Sequence, residues 1–222
     1  ITVALNGDGG DETFAGYRRY RAQWAKHSYD QLPKAFRETV GGGFKLLPAA
    51  TRSRGLLYDF ERFFGKSDEL RQTQYASWFG FFGGRRADQN SAFAEATDRE
   101  ALTELEDAFV STDSLHPVDA AMRADVSLYL PDDLLVKVDI ATMAHGLEAR
   151  SPLLDHTLME FVARLPVGFK LNWFQGKTLL RRMSKGLIPD EILRRKKTGF
   201  GVPLDQWFRG EFGYIARDTL LA

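Results

Sequence analysis

A mostly α-helical chain with one N-terminal strand is the fold class that this sequence predicts, on three observations. A short run of strand formers, Thr2-Val3-Ala4-Leu5, stands at the start and is closed by the turn signal Asn6-Gly7. Most of the chain beyond that turn repeats apolar residues every three or four positions, the period of a helix. The 222 residues are 44% hydrophobic and 27% charged, which suits one large globular domain or two small ones.

Asp11 to about His27 reads as one helix, with Phe14, Tyr17, Tyr20 and Trp24 on one face. Gly41-Gly42-Gly43 and Gly83-Gly84 punctuate the next stretch, and between them Asp68 to Phe82 reads as a helix with an aromatic face. Pro117 opens another helix, expected to end or bend at Pro131. Asp132 to His145 resumes the helical period and stops at Gly146. Leu147 to Asp155 looks extended, and helices are expected over Thr157–Arg164, Lys177–Lys185 and Pro189–Arg194. A lone strand cannot satisfy its own backbone groups, so its partners are expected from sequence outside this chain. On that ground, and with Ile1 in place of Met at the start, the chain is expected to be a piece of a longer protein.

Composition removes several function classes. Thirty basic residues balance thirty acidic ones, so no long-range field favours nucleic acid or a membrane surface. No apolar run approaches the ~20 residues of a membrane span, and no signal-peptide pattern opens the chain. A cytoplasmic protein is expected. The absence of cysteine excludes disulfides, Cys-ligated metals and thiol nucleophiles. His27, His116, His145 and His156 show no metal-ligand spacing, and no G-x-S-x-G elbow occurs. Charge is nonetheless segregated. Asp98 to Asp139 holds eleven acidic and three basic residues, a net of −8, and Lys177 to Lys197 holds eight basic and two acidic, a net of +6. Such runs fit solvated faces, and they also fit an acidic wall for Mg²⁺ opposite a basic wall for phosphates.

Four stretches could carry chemistry. Asn6-Gly7-Asp8-Gly9-Gly10-Asp11-Glu12 joins the strand to the first helix. Gly7, Gly9 and Gly10 would let the backbone approach a ligand, and the helix N-terminus would offer N–H groups to an anion. Asp8 and Asp11 could share a divalent cation with phosphate oxygens. Alternatively, Asp11 could simply cap the helix and Glu12 favour its dipole. Gly176-Lys177-Thr178 suggests a P-loop but fails it, because Leu171 stands where the first glycine should be. Lys177 could still meet a phosphate as a point charge, or be a plain surface lysine. Glu148 and Arg150 alternate in the extended segment before Asp155, so both would project from one face and orient an acidic substrate or brace a loop. Arg194 to Gly201 (RRKKTGFG) could be a basic flap over phosphates, and it lacks the interleaved aromatics of a single-strand nucleic-acid surface.

Together these segments resemble the synthetase domain of the glutamine-hydrolysing asparagine synthase family. The resemblance rests on VALNGDGGDETFAGYRRY (3–20), YLPDDLLVKVDIATMAHGLEARSPLLDH (129–156), GKTLLRRMSKGLIPDEIL (176–193) and RRKKTGFGVPLDQWFRGE (194–211), in the family's order. It implies an α/β parent fold of the adenine nucleotide alpha hydrolase-like, PP-loop ATP pyrophosphatase type. Residues 1–222 would be the C-terminal portion of that domain. It further implies ATP and Mg²⁺ as cofactors and aspartate and ammonia, drawn from glutamine, as substrates. Aspartate would be activated as β-aspartyl-AMP, and ammonia would then displace AMP. By position, Asp11 would be the metal ligand beside pyrophosphate, and Gly7, Gly9, Gly10 and Lys177 would line the nucleotide. Lys177 would also neutralise the leaving pyrophosphate. Asp8, where many members have Glu, would assist ammonia attack, and Glu148, Arg150 and Asp155 would support the site. The family's S-G-G-x-D-S loop and its glutaminase domain with a first-residue cysteine find no match here, so the isolated chain is expected to be inactive. No nucleic acid or membrane partner is expected, and the assembly is left open, a homodimer included. Two alternatives remain: an amidotransferase acting on another carboxylate, and a non-catalytic helical binding module.

Overall fold

The structure, a computed structural model, describes residues 1–37, 39, 107–109, 115–195, 203–210 and 212–220. The helix expected over 68–82, the glycine breaks at 41–43 and 83–84, and most of the basic stretch up to Gly201 lie outside these residues. The described chain is mostly helical and divides into two compact units, Ile1–Met183 and Ser184–Ala222.

Strand β1, Val3–Leu5, finds its partner within the chain. It pairs in parallel with β2, Glu148–Arg150, in the register Val3 to Glu148, Ala4 to Ala149 and Leu5 to Arg150. The expectation of one strand is thus corrected to two. The extended segment before Asp155 supplies the second, and backbone bonds from Glu148 N to Thr2 O (2.8 Å) and from Asn6 N to Arg150 O (2.9 Å) close the ladder at both ends. Period-2 alternation leaves Ala4 and Ala149 half-buried on one face and Val3, Leu5, Glu148 and Arg150 exposed on the other.

The helix expected from Asp11 to His27 is broken. A single turn, α1 (Gly10–Thr13), is followed by Ala15 in the left-handed region (φ 55°), and α2 begins only at Arg18 and runs to Asp30. The break has a cause in packing. A Cβ on Gly176 would lie 2.2 Å from Ala15 O and 3.1 Å from Gly16 Cα, so backbone meets backbone there. Lys177 N–H donates to Phe14 O at 3.0 Å. An unbroken helix would have spent that carbonyl internally.

Helix α3 (Pro117–Ala124) starts with proline in the first turn, and His116 caps it by accepting the Val118 N–H at Nδ1, 3.2 Å away. Pro131 neither ends nor sharply breaks the helical path beyond α3. The helix widens into a π-helical stretch, Asp125–Leu135, which carries Pro131 inside it, and then continues as α4 (Val136–Met143). Gly146, at φ 63°, lies just past the end of α4, as its stop signal predicts. A 3₁₀ turn, Pro152–Leu154, leads from β2 to α5 (His156–Ala163), and α6 (Val167–Lys170) and α7 (Thr178–Met183) complete the first unit.

The core of this unit lies where α2 meets α3. Tyr20, Val118, Ala120, Ala121, Met122 and Leu171 are buried there, with Trp24 packed against them. Trp24 also stacks on Trp173, centroids 4.9 Å apart. Lys170 is fully buried, and its Nζ is satisfied by Asp119 Oδ1 (2.8 Å) and Ala163 O (3.1 Å). In the second unit, α8 (Asp190–Arg194), α9 (Leu204–Arg209) and α10 (Gly213–Leu220) are short, and Trp207 packs edge-on against Phe212.

Candidate active site

Parallel strands deliver their following loops to one end of the sheet, and ligands of open α/β sheets sit outside those carboxyl ends. Here β1 feeds the loop Asn6–Gly9 into α1, and β2 feeds Ser151 and the 3₁₀ turn. Asn6 ties the two together. Its Oδ1 accepts from Ser151 Oγ and from Asp8 N (3.3 Å), while its Nδ2 donates to Asp8 Oδ2 at 2.8 Å. Asp8 is therefore held by its own loop.

The glycines of this loop serve different ends. Gly9 adopts φ 80°, and a Cβ on it would lie 2.0 Å from Leu154 Cδ2, so both conformation and contact require glycine. A Cβ on Gly10 would lie 2.8 Å from Leu153 Cδ1 and 3.5 Å from Lys177 Nζ. Only Gly7 has open space around it. Gly9 and Gly10 thus meet the neighbouring turn, and Gly10 also faces Lys177.

α1 brings Asp11 to Lys177. The Lys177 Nζ lies 3.2 Å from Asp11 Oδ1, and both side chains are about a quarter exposed (27% and 23%). They are shielded enough to strengthen the attraction and open enough to meet a ligand. Sequence separation hides this pairing, although each residue stands out by itself in its own motif. Lys177 opens α7 from a left-handed conformation (φ 55°) that a lysine rarely adopts, and Arg181 N bonds back to its carbonyl at 2.8 Å. With Ala15 at the same φ, two strained residues lie on the adjoining segments 14–16 and 176–177. Such strain persists where surrounding structure over-determines it, commonly at functional sites. Gly16 completes the close fit, since a Cβ there would meet Asp11 Oδ1 at 1.8 Å and Lys177 Cε at 2.4 Å.

Behind α1 lies a polar network that sequence reasoning missed. Glu12 is 1% exposed and accepts a hydrogen bond from Tyr17 OH. Burial pushes its carboxyl above the usual carboxylate range, opposed by the Tyr17 hydroxyl. Burial and the adjoining Glu12 in turn push the Tyr17 phenol well above its ordinary value. The Arg19 guanidinium stacks on the Tyr17 ring at 3.8 Å and faces the Tyr129 ring at 4.9 Å. It donates to the fully buried Asp125 Oδ2 through Nε (3.0 Å) and Nη2 (2.7 Å), where Tyr20 OH also donates. Arg19 and Asp125 are 106 residues apart, and no local pattern links them.

The other candidate residues lie elsewhere in the first unit. Glu148 and Arg150 do share a face, joined Nε to Oε1 at 2.8 Å, but they stand exposed on the strand. That bond holds the Glu148 carboxyl below its usual range. Asp155 accepts the Leu158 N–H at 3.1 Å and so caps α5.

Donor chemistry bears on a metal. Among the described residues no three His, Asp or Glu side chains converge as a metal cage. Mg²⁺ does not need one, since it keeps waters and shares substrate phosphates with one or two carboxylates. Asp11, half-buried at the mouth of the two strands, fits that role.

Residues 1–222 match the asparagine synthase family throughout. The chain belongs to this family. It is 32% identical to a putative glutamine-hydrolysing asparagine synthetase of Mycobacterium tuberculosis over 94% of its own length and 31% of the relative. Against asparagine synthetase [glutamine-hydrolyzing] 1 of Bacillus subtilis it is 25% identical, over 99% of this chain and 34% of the relative. A fungal protein from Gibberella zeae named amidase chry2 is 24% identical over 93% of this chain and 33% of its own. The chain thus spans about a third of the length of the curated relatives it matches. No solved structure matches it. No helix among the described residues is long and apolar enough to cross a membrane.

Proposed function

We propose that the chain is the C-terminal portion of the synthetase domain of a glutamine-hydrolysing asparagine synthase, and that it contributes one side of the carboxylate-activating site. The meeting of Asp11 and Lys177 at the carboxyl ends of a parallel strand pair carries this reading. The remaining two thirds of the protein would supply further strands of an α/β sheet, the S-G-G-x-D-S loop for pyrophosphate and the glutaminase that releases ammonia.

In the first step the β-carboxylate of aspartate attacks the α-phosphorus of ATP, and the bond to the bridging oxygen breaks. β-Aspartyl-AMP and pyrophosphate result. Lys177 meets the negative charge that gathers on the departing phosphates, a preorganised cation placed where charge develops. Asp11 would hold a magnesium ion, whose positive charge would offset the negative charge of the pyrophosphate. Both residues are fixed by the close fit at Gly16 and Gly176, so little reorganisation accompanies the reaction. In the second step ammonia adds to the activated carbonyl and AMP leaves with the electrons of the carbon–oxygen bond. Asp8, anchored by Asn6, accepts the proton that nitrogen sheds. Its side chain is one methylene shorter than the glutamate common at this place.

A second reading keeps the ATP chemistry and changes the acceptor. The relatives named amidases from Gibberella zeae and Penicillium rubens cover the same stretch of the chain at 24% and 25% identity. Aspartate-dependent exchange of labelled pyrophosphate into ATP by the full-length protein tests the first reading. Exchange with aspartate is the expected result. Exchange only with other carboxylates would establish the second reading, and none with any carboxylate would overturn both.

A further inference from the structure

The buried network behind α1 plays no part in the chemistry above, yet it is built around the turn that carries Asp11. We propose that Arg19 is a positioning residue of the site: clamped between the buried Asp125 and the Tyr17 ring, it fixes the hydroxyl that locks Glu12, and through Glu12 it sets the turn that presents Asp11. The inference rests on the reading of Asp11 as a ligand of magnesium and pyrophosphate.

The links are contiguous. Asp125 begins the π-helical stretch, a winding frequent at functional sites. Its Oδ2 receives both Nε and Nη2 of Arg19, and Tyr20 OH converges on the same oxygen. The guanidinium cannot tilt without losing one of these bonds, and its flat face rests 3.8 Å from the Tyr17 ring centre. Tyr129 meets that ring edge-on at 6.0 Å, so Tyr17 is held between two partners. The Tyr17 hydroxyl then reaches Glu12, next in sequence to Asp11 on a helix of one turn. One turn has little rigidity of its own, since helix nucleation is unfavourable without outside support. The network provides that support.

Lysine in place of Arg19 would keep the charge but lose the planar, two-point grip. The Lys170–Asp119 pair offers a control, because its Lys170 is as buried as Asp125 and the pair joins α3 to α6 instead.

The test is calorimetric binding of magnesium pyrophosphate to the full-length protein, with thermal melting measured on the same samples. Arg19→Met is expected to weaken binding by about 10- to 100-fold, the range for residues that orient a ligating group from behind. Arg19→Lys should fall between Arg19→Met and the parent. Asp119→Asn should lower the melting temperature while leaving binding unchanged. Should Arg19→Met fail to fold, Tyr17→Phe removes only the hydroxyl on Glu12 and carries the same expectation. Unchanged binding in a folded Arg19→Met or Tyr17→Phe, or equal weakening by Asp119→Asn, would overturn the positioning role. Asp11→Asn separates the two claims. If it leaves binding intact, the role of Asp11 itself fails. If it weakens binding and Arg19→Met does not, the positioning role alone fails.

Discussion

Two carboxylate–cation pairs in the first unit have the same chemistry and opposite surroundings. Asp11 and Lys177 meet at 3.2 Å with about a quarter of each side chain open to solvent. Asp125 and Arg19 meet at 2.7 Å with the carboxylate 1% exposed and the guanidinium flanked by the Tyr17, Tyr20 and Tyr129 rings. The buried pair has every reason to stay together, because separating it would leave a charge in a medium that cannot solvate it. The open pair can exchange partners at small cost, which is what a site handling phosphates and a metal requires. On the proposed reading, burial, more than residue type, separates a structural ion pair from a chemical one.

The comparison can be broken by substitution, and the largest expected effect falls on stability. Asp125→Ala strands the Arg19 guanidinium, and urea unfolding should show a loss of about 3–5 kcal/mol. Next comes Asp11→Asn, which should lower aspartate-dependent pyrophosphate exchange by on the order of 10²–10³-fold while barely moving the urea midpoint. A chemical pair that instead proved essential for folding would erase the distinction. Gly16→Ala tests the fit between them. Its new Cβ would collide with Asp11 and Lys177 side chains, and a displacement near 1 Å should reduce exchange by roughly 10²-fold. Asp155→Ala removes the cap of α5, and a stability loss of about 1 kcal/mol with unchanged KM for ATP is expected. Smallest of all, Glu148→Gln breaks an ion pair exposed on the strand, and neither the urea midpoint nor the exchange rate should change.

Much of the site is legible in the sequence because its parts lie in short motifs. The Asn6–Glu12 loop, Gly176-Lys177 and the extended stretch through Glu148 and Arg150 are each visible from residue type and spacing. Asp155 shows its family position but not its cap, which needs the turn geometry. Relations between distant segments are what the sequence conceals. The periodicity of Phe14, Tyr17, Tyr20 and Trp24 predicts an unbroken helix, because nothing local to Ala15 reveals that Gly176 will press against its carbonyl. Pro131 reads as a breaker, yet the wider π-helical winding accommodates it. The second strand shows only as extended sequence, since pairing is a property of two segments. The Arg19–Asp125 clamp is invisible for the same reason: its halves are separated by most of the first unit.

The central claim is that the half-open Lys177 acts on phosphate rather than on fold. Pyrophosphate exchange into ATP by full-length protein carrying Lys177→Met, with aspartate present and the melting temperature recorded alongside, tests it most directly. The account predicts a fall on the order of 10²-fold at an essentially unchanged melting temperature. Undiminished exchange, or a fall matched by loss of folded protein, would contradict it.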